Sequence, residues 1–146
     1  MSIAKYVQKF LLTSPFITVS PFDMQIDFVG ETPTQYSIEA EPVHPVVKRY
    51  LTGDTIRQFV FSLVQRADII TDDVRSSNND NYEKLSLWLE QQTKSRALPP
   101  MEDEARAMKI EAIGAQYVLE RAEDNSSALY MMQCALTYYQ KARTIQ

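Results

Sequence analysis

Three extended segments joined by turns occupy the chain between Tyr36 and Ala67, and they constrain the fold more than any other feature. The segments are Tyr36–Glu41, Val46–Leu51 and Thr55–Arg66, and they are separated by Pro42, Pro45 and the turn Thr52-Gly53-Asp54. Runs rich in β-branched and aromatic residues between Pro and Gly punctuation are typical of strands. The stretch therefore predicts consecutive strands, and nothing in it resembles a catalytic site.

The third segment is apolar on both of its faces. Phe59, Phe61 and Leu63 share one face, and Ile56, Val60 and Val64 share the other. A strand of this kind belongs in the middle of a sheet or beneath a neighbouring subunit. We therefore expect Phe59, Phe61 and Leu63 to belong to the core or to a subunit interface.

Apolar residues at helical spacing predict two helices. The stripe of the first is Ile3, Tyr6, Val7, Phe10 and Leu11. This helix carries only two lysines, so covering a sheet fits it better than lying on a membrane surface. The second helix is predicted from about Tyr82 to Ser95, with Asn81 as its N-cap.

The segment Asp68–Asn81, between the third extended segment and the second helix, is polar and rich in Asn and Asp. This composition predicts an exposed loop with at most one helical turn. The loop residues that a partner could contact are Asp72, Asp73, Arg75, Asn78, Asn79 and Asp80. A solvated loop without a partner is the alternative interpretation.

The C-terminal third predicts a hairpin with arms Lys109–Leu119 and Ala128–Tyr139 and the turn Glu123–Ser127. Ala, Met and Leu would also permit helices, but Gly114 and the Asn-Ser turn favour strands. With Met24–Phe28 as a further short strand, followed by a turn at Gly30–Thr34, the order is α-β-β-β-β-α-β-β. We predict an α+β fold, in which a mixed, mostly antiparallel β-sheet is flanked by an N-terminal helix and one central helix.

Length and charge limit the class of protein. A chain of 146 residues predicts a single domain, residues 1–146, that can build a core without cross-links. Nineteen Asp and Glu against 15 Lys and Arg give a formal net charge of −4. Because binding to phosphates requires a basic surface, this balance argues against a protein that grips nucleic acid.

Few residues could carry chemistry. The only histidine, His44, lies in a Pro-rich kink without a nucleophile motif, so we expect a structural or exposed turn residue. The only cysteine, Cys134, lies in an apolar run and is expected to be a buried core thiol. One His and one Cys cannot supply a zinc site. The sequence therefore predicts no enzyme, no metal site and no cofactor.

Targeting signals are also missing from the sequence. No stretch reaches the ~20 apolar residues of a membrane span, and the N-terminus lacks the pattern of a signal peptide. We expect a protein that is made in the cytoplasm and has no membrane partner.

Eight tyrosines and six methionines indicate an extensive contact surface, because these residues are enriched in interface cores. Sheet edges must be paired or covered, and a ring of subunits would meet this need. The pairs Tyr138-Tyr139 and Phe59/Phe61 could also stack bases of single-stranded nucleic acid, but the net acidity disfavours that use.

A family resemblance covers about Leu11 to Gln140. The residues that carry it are Tyr36–Glu39, Pro42, Val46–Leu51, Gly53, Ile56–Phe61, Trp88–Gln92, Leu98-Pro99, Lys109–Glu111, Tyr117–Leu119, Gln133 and Leu136. Through them the chain resembles the minor capsid, or tail terminator, proteins of tailed bacteriophages. The matching pieces are structural preferences, and their order is similar to the family's mixed sheet flanked by helices.

The resemblance implies a structural virion protein that forms a ring, typically a hexamer, on the head-proximal end of the tail tube. Such a ring stops tube polymerisation and offers a surface for head–tail joining. The implied partners are further copies of the chain, the tail tube protein and a head-completion, or connector, protein. DNA would pass through the ring without specific binding, and the predicted loop 72–81 would face the tube or the lumen.

Three other functions compete with this one. A head–tail connector would bind the portal side first. A small ligand-binding or enzymatic α+β domain would need a deep polar pocket with a perturbed titratable group. A host-side regulatory protein would need a docking surface for nucleic acid or protein, which the sequence does not reveal.

Overall fold

The structure, a computed structural model, describes residues 2–17, 24–26, 36–68, 72–101, 104–114, 117–121 and 127–142. The helices are α1 (Ile3–Leu11) and α2 (Asp72–Ser95). The strands are β1 (Met24–Ile26), β2 (Tyr36–Ala40), β3 (Val46–Arg49), β4 (Thr55–Asp68), β5 (Ala105–Ala112), β6 (Tyr117–Arg121) and β7 (Ser127–Gln140). The predicted α+β fold, a mixed sheet with an N-terminal and a central helix, is confirmed.

The sheet is built around β4 and β7, which pair antiparallel over their whole length of 14 residues each. The other edge of β4 is shared by two short strands: β3 pairs near Thr55–Arg57, and β2 pairs near Phe61–Gln65. The outer edge of β7 is shared in the same way by β5 and β6. The main strand order is β1-β2-β4-β7-β5, and β1 runs parallel to β2. As predicted from its two apolar faces, β4 lies in the middle of the sheet.

One face of the β4–β7 pair forms the core with both helices. Phe61 and Leu63 lie opposite Cys134 and Met132 in the register, and all four side chains are buried. The helices add Val7, Phe10 and Leu11 from α1, and Tyr82, Leu85 and Leu89 from α2. Phe59 packs against this cluster, so the three residues predicted for a core or an interface contribute to the core of a single chain.

Helix α2 begins at Asp72, and the loop predicted over Asp68–Asn81 is therefore wrong for most of its length. The apolar stripe from Tyr82 onward anchors the helix, and adding further turns to an existing helix costs little. The sequence also places two acidic residues, Asp72 and Asp73, at the N-terminus of the helix, where negative charge interacts favourably with the helix dipole. Asn81 is not an N-cap, since it lies inside α2 and its Nδ2 donates to the Phe16 carbonyl oxygen at 3.1 Å.

The predicted first arm of the C-terminal hairpin is two strands instead of one. β5 starts at Ala105, earlier than predicted, and ends at Ala112, and the chain resumes as β6 at Tyr117 after Gly114. Both pieces pair with the same edge of β7, which is why the sequence shows one continuous apolar run. The strand interpretation of this region is confirmed. The predicted turn 30–34 and residues 123–126 of the predicted turn 123–127 lie outside the described residues, and Ser127 is the first residue of β7.

Removing the Phe61 side chain tests where the core lies. We expect Phe61→Ala to lower the free energy of unfolding by about 3–5 kcal/mol, because the buried ring leaves a cavity. Leu51→Ala, at a fully exposed position, is the matched control and should change it by less than about 0.5 kcal/mol. Urea denaturation measures both, and equal effects of the two substitutions would contradict the described core.

Burial of Cys134 predicts a loss of stability in alkali. Burial raises the pKa of its thiol from 9.0 to about 12. As pH rises, the unfolded chain therefore loses this proton before the folded chain does. The contribution of the buried thiol to the free energy of unfolding is complete below pH 9 and is lost as pH rises toward 12. Between pH 9 and 10 the free energy of unfolding should fall by up to about 1.4 kcal/mol.

Cys134→Ala should reduce the fall in the free energy of unfolding between pH 9 and 10, whatever the effect of the substitution at neutral pH. Above pH 10 the slope should persist in the variant, because burial raises the pKa of Tyr36 from 10.0 to about 12. Urea titrations at pH 8, 9 and 10 measure the slope, and an unchanged slope in Cys134→Ala would be evidence against a sealed thiol.

Candidate assembly surfaces

In the described part of the chain, large exposed apolar side chains lie on both sides of the β4–β7 pair. They are Val43, Val47, Tyr50, Leu51, Leu87, Met108 and Ile113. Four of them lie in the segment Val43–Leu51, which contains β3 and which we call the arm. The other three are Leu87 on α2, Met108 on β5 and Ile113 directly after β5, and we call this side of the chain, Leu87 together with Met108–Ile113, the α2–β5 edge. The strand order places β3 and β5 on opposite sides of the β4–β7 pair.

Backbone contacts hold the arm against β4. The Gln58 backbone N–H donates to the Pro45 carbonyl at 2.8 Å, and Gln58 Nε2 donates to the His44 carbonyl at 2.9 Å. At the other end, the Gly53 N–H donates to the Tyr50 carbonyl at 3.0 Å and closes the turn into β4. Gly53 has φ +92°, a conformation that residues with a side chain rarely adopt.

Asp54 fixes the base of the arm to the end of β7. Its Oδ1 accepts from the Ala142 backbone N–H at 2.8 Å, and its Oδ2 accepts from the Tyr139 hydroxyl. The Tyr139 ring lies 6.4 Å from the Tyr50 ring, and Lys48 Nζ lies 5.0 Å from the Tyr50 ring centroid. The arm is therefore held against the sheet along its length, and its last residue, Leu51, is fully exposed.

The α2–β5 edge is closed at its centre by Thr93. Thr93 Oγ1 donates to the Ile110 carbonyl at 2.8 Å and accepts from the Ile110 N–H at 3.0 Å. These bonds occupy the backbone N–H and C=O of Ile110, which β5 would otherwise offer to another strand. Beside this contact lies an open groove of about 280 Å³, lined by residues that include Ser86, Glu90 and Ile110.

The arm is basic and helix α2 is net acidic, whereas Met108–Ile113 is neutral because Lys109 pairs with Glu111 at 3.4 Å. The arm contains Lys48 and Arg49 and no acidic residue. Helix α2 carries five acidic and three basic residues, a net charge of −2. On its outer face Asp80, Glu83, Leu87 and Glu90 are exposed. Glu90 is paired with Lys94 at 3.4 Å, whereas Asp80 and Glu83 make no ion pair within the described part of the chain.

The sequence-predicted contact residues fall in the first turns of α2. By backbone position Asp72, Asp73, Arg75, Asn78 and Asn79 belong to this helix, but their side chains lie outside the described part of the structure. Asp80, the sixth, is exposed. The structure therefore brings these residues to the same helix as Leu87.

His44 lies in the arm and is exposed, with its Nδ1 3.0 Å from the Val46 carbonyl oxygen.

Sequence reasoning treated the arm as an ordinary strand and missed its exposed apolar tip. The available signal was Leu51 beside Thr52-Gly53, since a leucine next to a tight turn is poorly placed for burial. Exposed apolar patches on a protein surface often mark sites of protein contact.

The described residues contain no cluster of three His, Cys, Asp or Glu that could hold a metal ion. A second, open cavity of about 720 Å³ lies between the end of α2 and β5, lined by residues that include Arg96, Leu98, Pro100 and Met108. Among the described residues, burial raises the pKa of Tyr36, Tyr82 and Cys134. All three side chains lie in the core, and none of them lines this cavity.

Of the helices in the described part of the chain, neither is both long enough and apolar enough to span a bilayer. No protein-family model matches the sequence, and no curated protein matches it.

Removing the Asp54 carboxylate should loosen the arm. Asp54→Ala leaves the Tyr139 hydroxyl and the Ala142 N–H without this acceptor, and we expect a loss of about 1–3 kcal/mol in unfolding free energy. Hydrogen exchange at the amides of Tyr50 and Gly53 should speed up. Thr52→Ala, at an exposed position of the same turn, is the control, and equal exchange in both variants would show that Asp54 does not support the arm.

Proposed function

We propose that the protein is a structural virion component of the tail terminator type. It forms a ring on the head-proximal end of a phage tail tube, stops tube polymerisation and provides a surface for head–tail joining. Further copies of the chain, the tail tube protein and a head-completion protein are its partners. In this proposal the protein catalyses no reaction.

The observation that carries the proposal is the pair of unlike, exposed apolar surfaces on opposite sides of the sheet. An isologous dimer uses one patch twice, whereas two different complementary patches join copies head to tail. Head-to-tail contacts close into a ring when the rotation between neighbours allows it. The arm and the α2–β5 edge are therefore suited to ring formation.

Two further features support the proposal. The α+β architecture, a mixed sheet with two helices, is of the class that the family resemblance implies. In addition, the described residues hold no metal cluster, and the groups whose pKa burial raises lie in the core. A small ligand-binding or enzymatic domain would be expected to place such a group in a polar pocket.

The test is electron microscopy of the purified protein mixed with tail tubes that are still growing from their subunits. We expect rings at one end of each tube and arrested growth. Tubes that keep growing with bare ends would refute the terminator function. Rings that bind isolated portal complexes but not tubes would indicate a head–tail connector instead.

Two substitutions at exposed positions test whether the arm takes part in capping. Leu51→Asp alters the tip of the arm without touching the core, and Thr13→Asp, at an exposed residue next to α1, is the matched control. We expect Leu51→Asp to reduce the fraction of capped tubes at least about tenfold, because a buried carboxylate opposes apolar contact. Thr13→Asp should leave capping unchanged, and equal capping by both variants would show that the arm takes no part.

A further inference from the structure

We draw no further inference here: the strongest candidate, the cluster of Lys48, Tyr50, Tyr139 and Arg106 at one end of the sheet, carries nothing further because these side chains contact one another and the Asp54 carboxylate, and nothing in the described part of the structure shows a ligand for them.

Discussion

The antiparallel pairing of β4 with β7 is the constraint on which the rest of the structure depends. It extends without a register shift from Thr55 opposite Gln140 to Asp68 opposite Ser127. Because one face of this pair carries the large apolar side chains, both helices pack there and contact each other through Phe10 and Trp88. The free edges of β4 and β7 are each longer than one short strand can cover. Two strands therefore pair along each of them, β2 and β3 with β4, and β5 and β6 with β7. The arm and the α2–β5 edge are consequences of that sharing.

The edge strands of the sheet are short or irregular, which disfavours the open-ended addition of further strands. β1 has only three residues, and the pairings of β3, β5 and β6 each contain a bulge. Short and bulged edge strands are poor templates for further strands. In the proposed assembly, contact between copies is therefore left to exposed side chains such as Leu51.

The sequence predicted the elements that depend on local periodicity. The two apolar faces of β4 and the stripe of α1 were sufficient to place both correctly. Prediction was wrong where tertiary context outweighs composition: Asp72 to Asn81 favours a loop by residue type, yet the apolar stripe that follows extends the helix through it. The candidate site was only partly predictable. The residues of α2 were singled out for their charge, but the arm becomes an exposed surface only through the pairing partners of β4, which no local pattern specifies.

The most direct test of the central claim is a reconstruction, by electron cryomicroscopy, of the protein on a tube end at a resolution that shows side chains. The proposed assembly predicts a closed ring with rotational symmetry in which Leu51 of each copy is buried in a contact. A two-fold dimer joined through identical surfaces, or a ring in which the arm points into solvent, would contradict it.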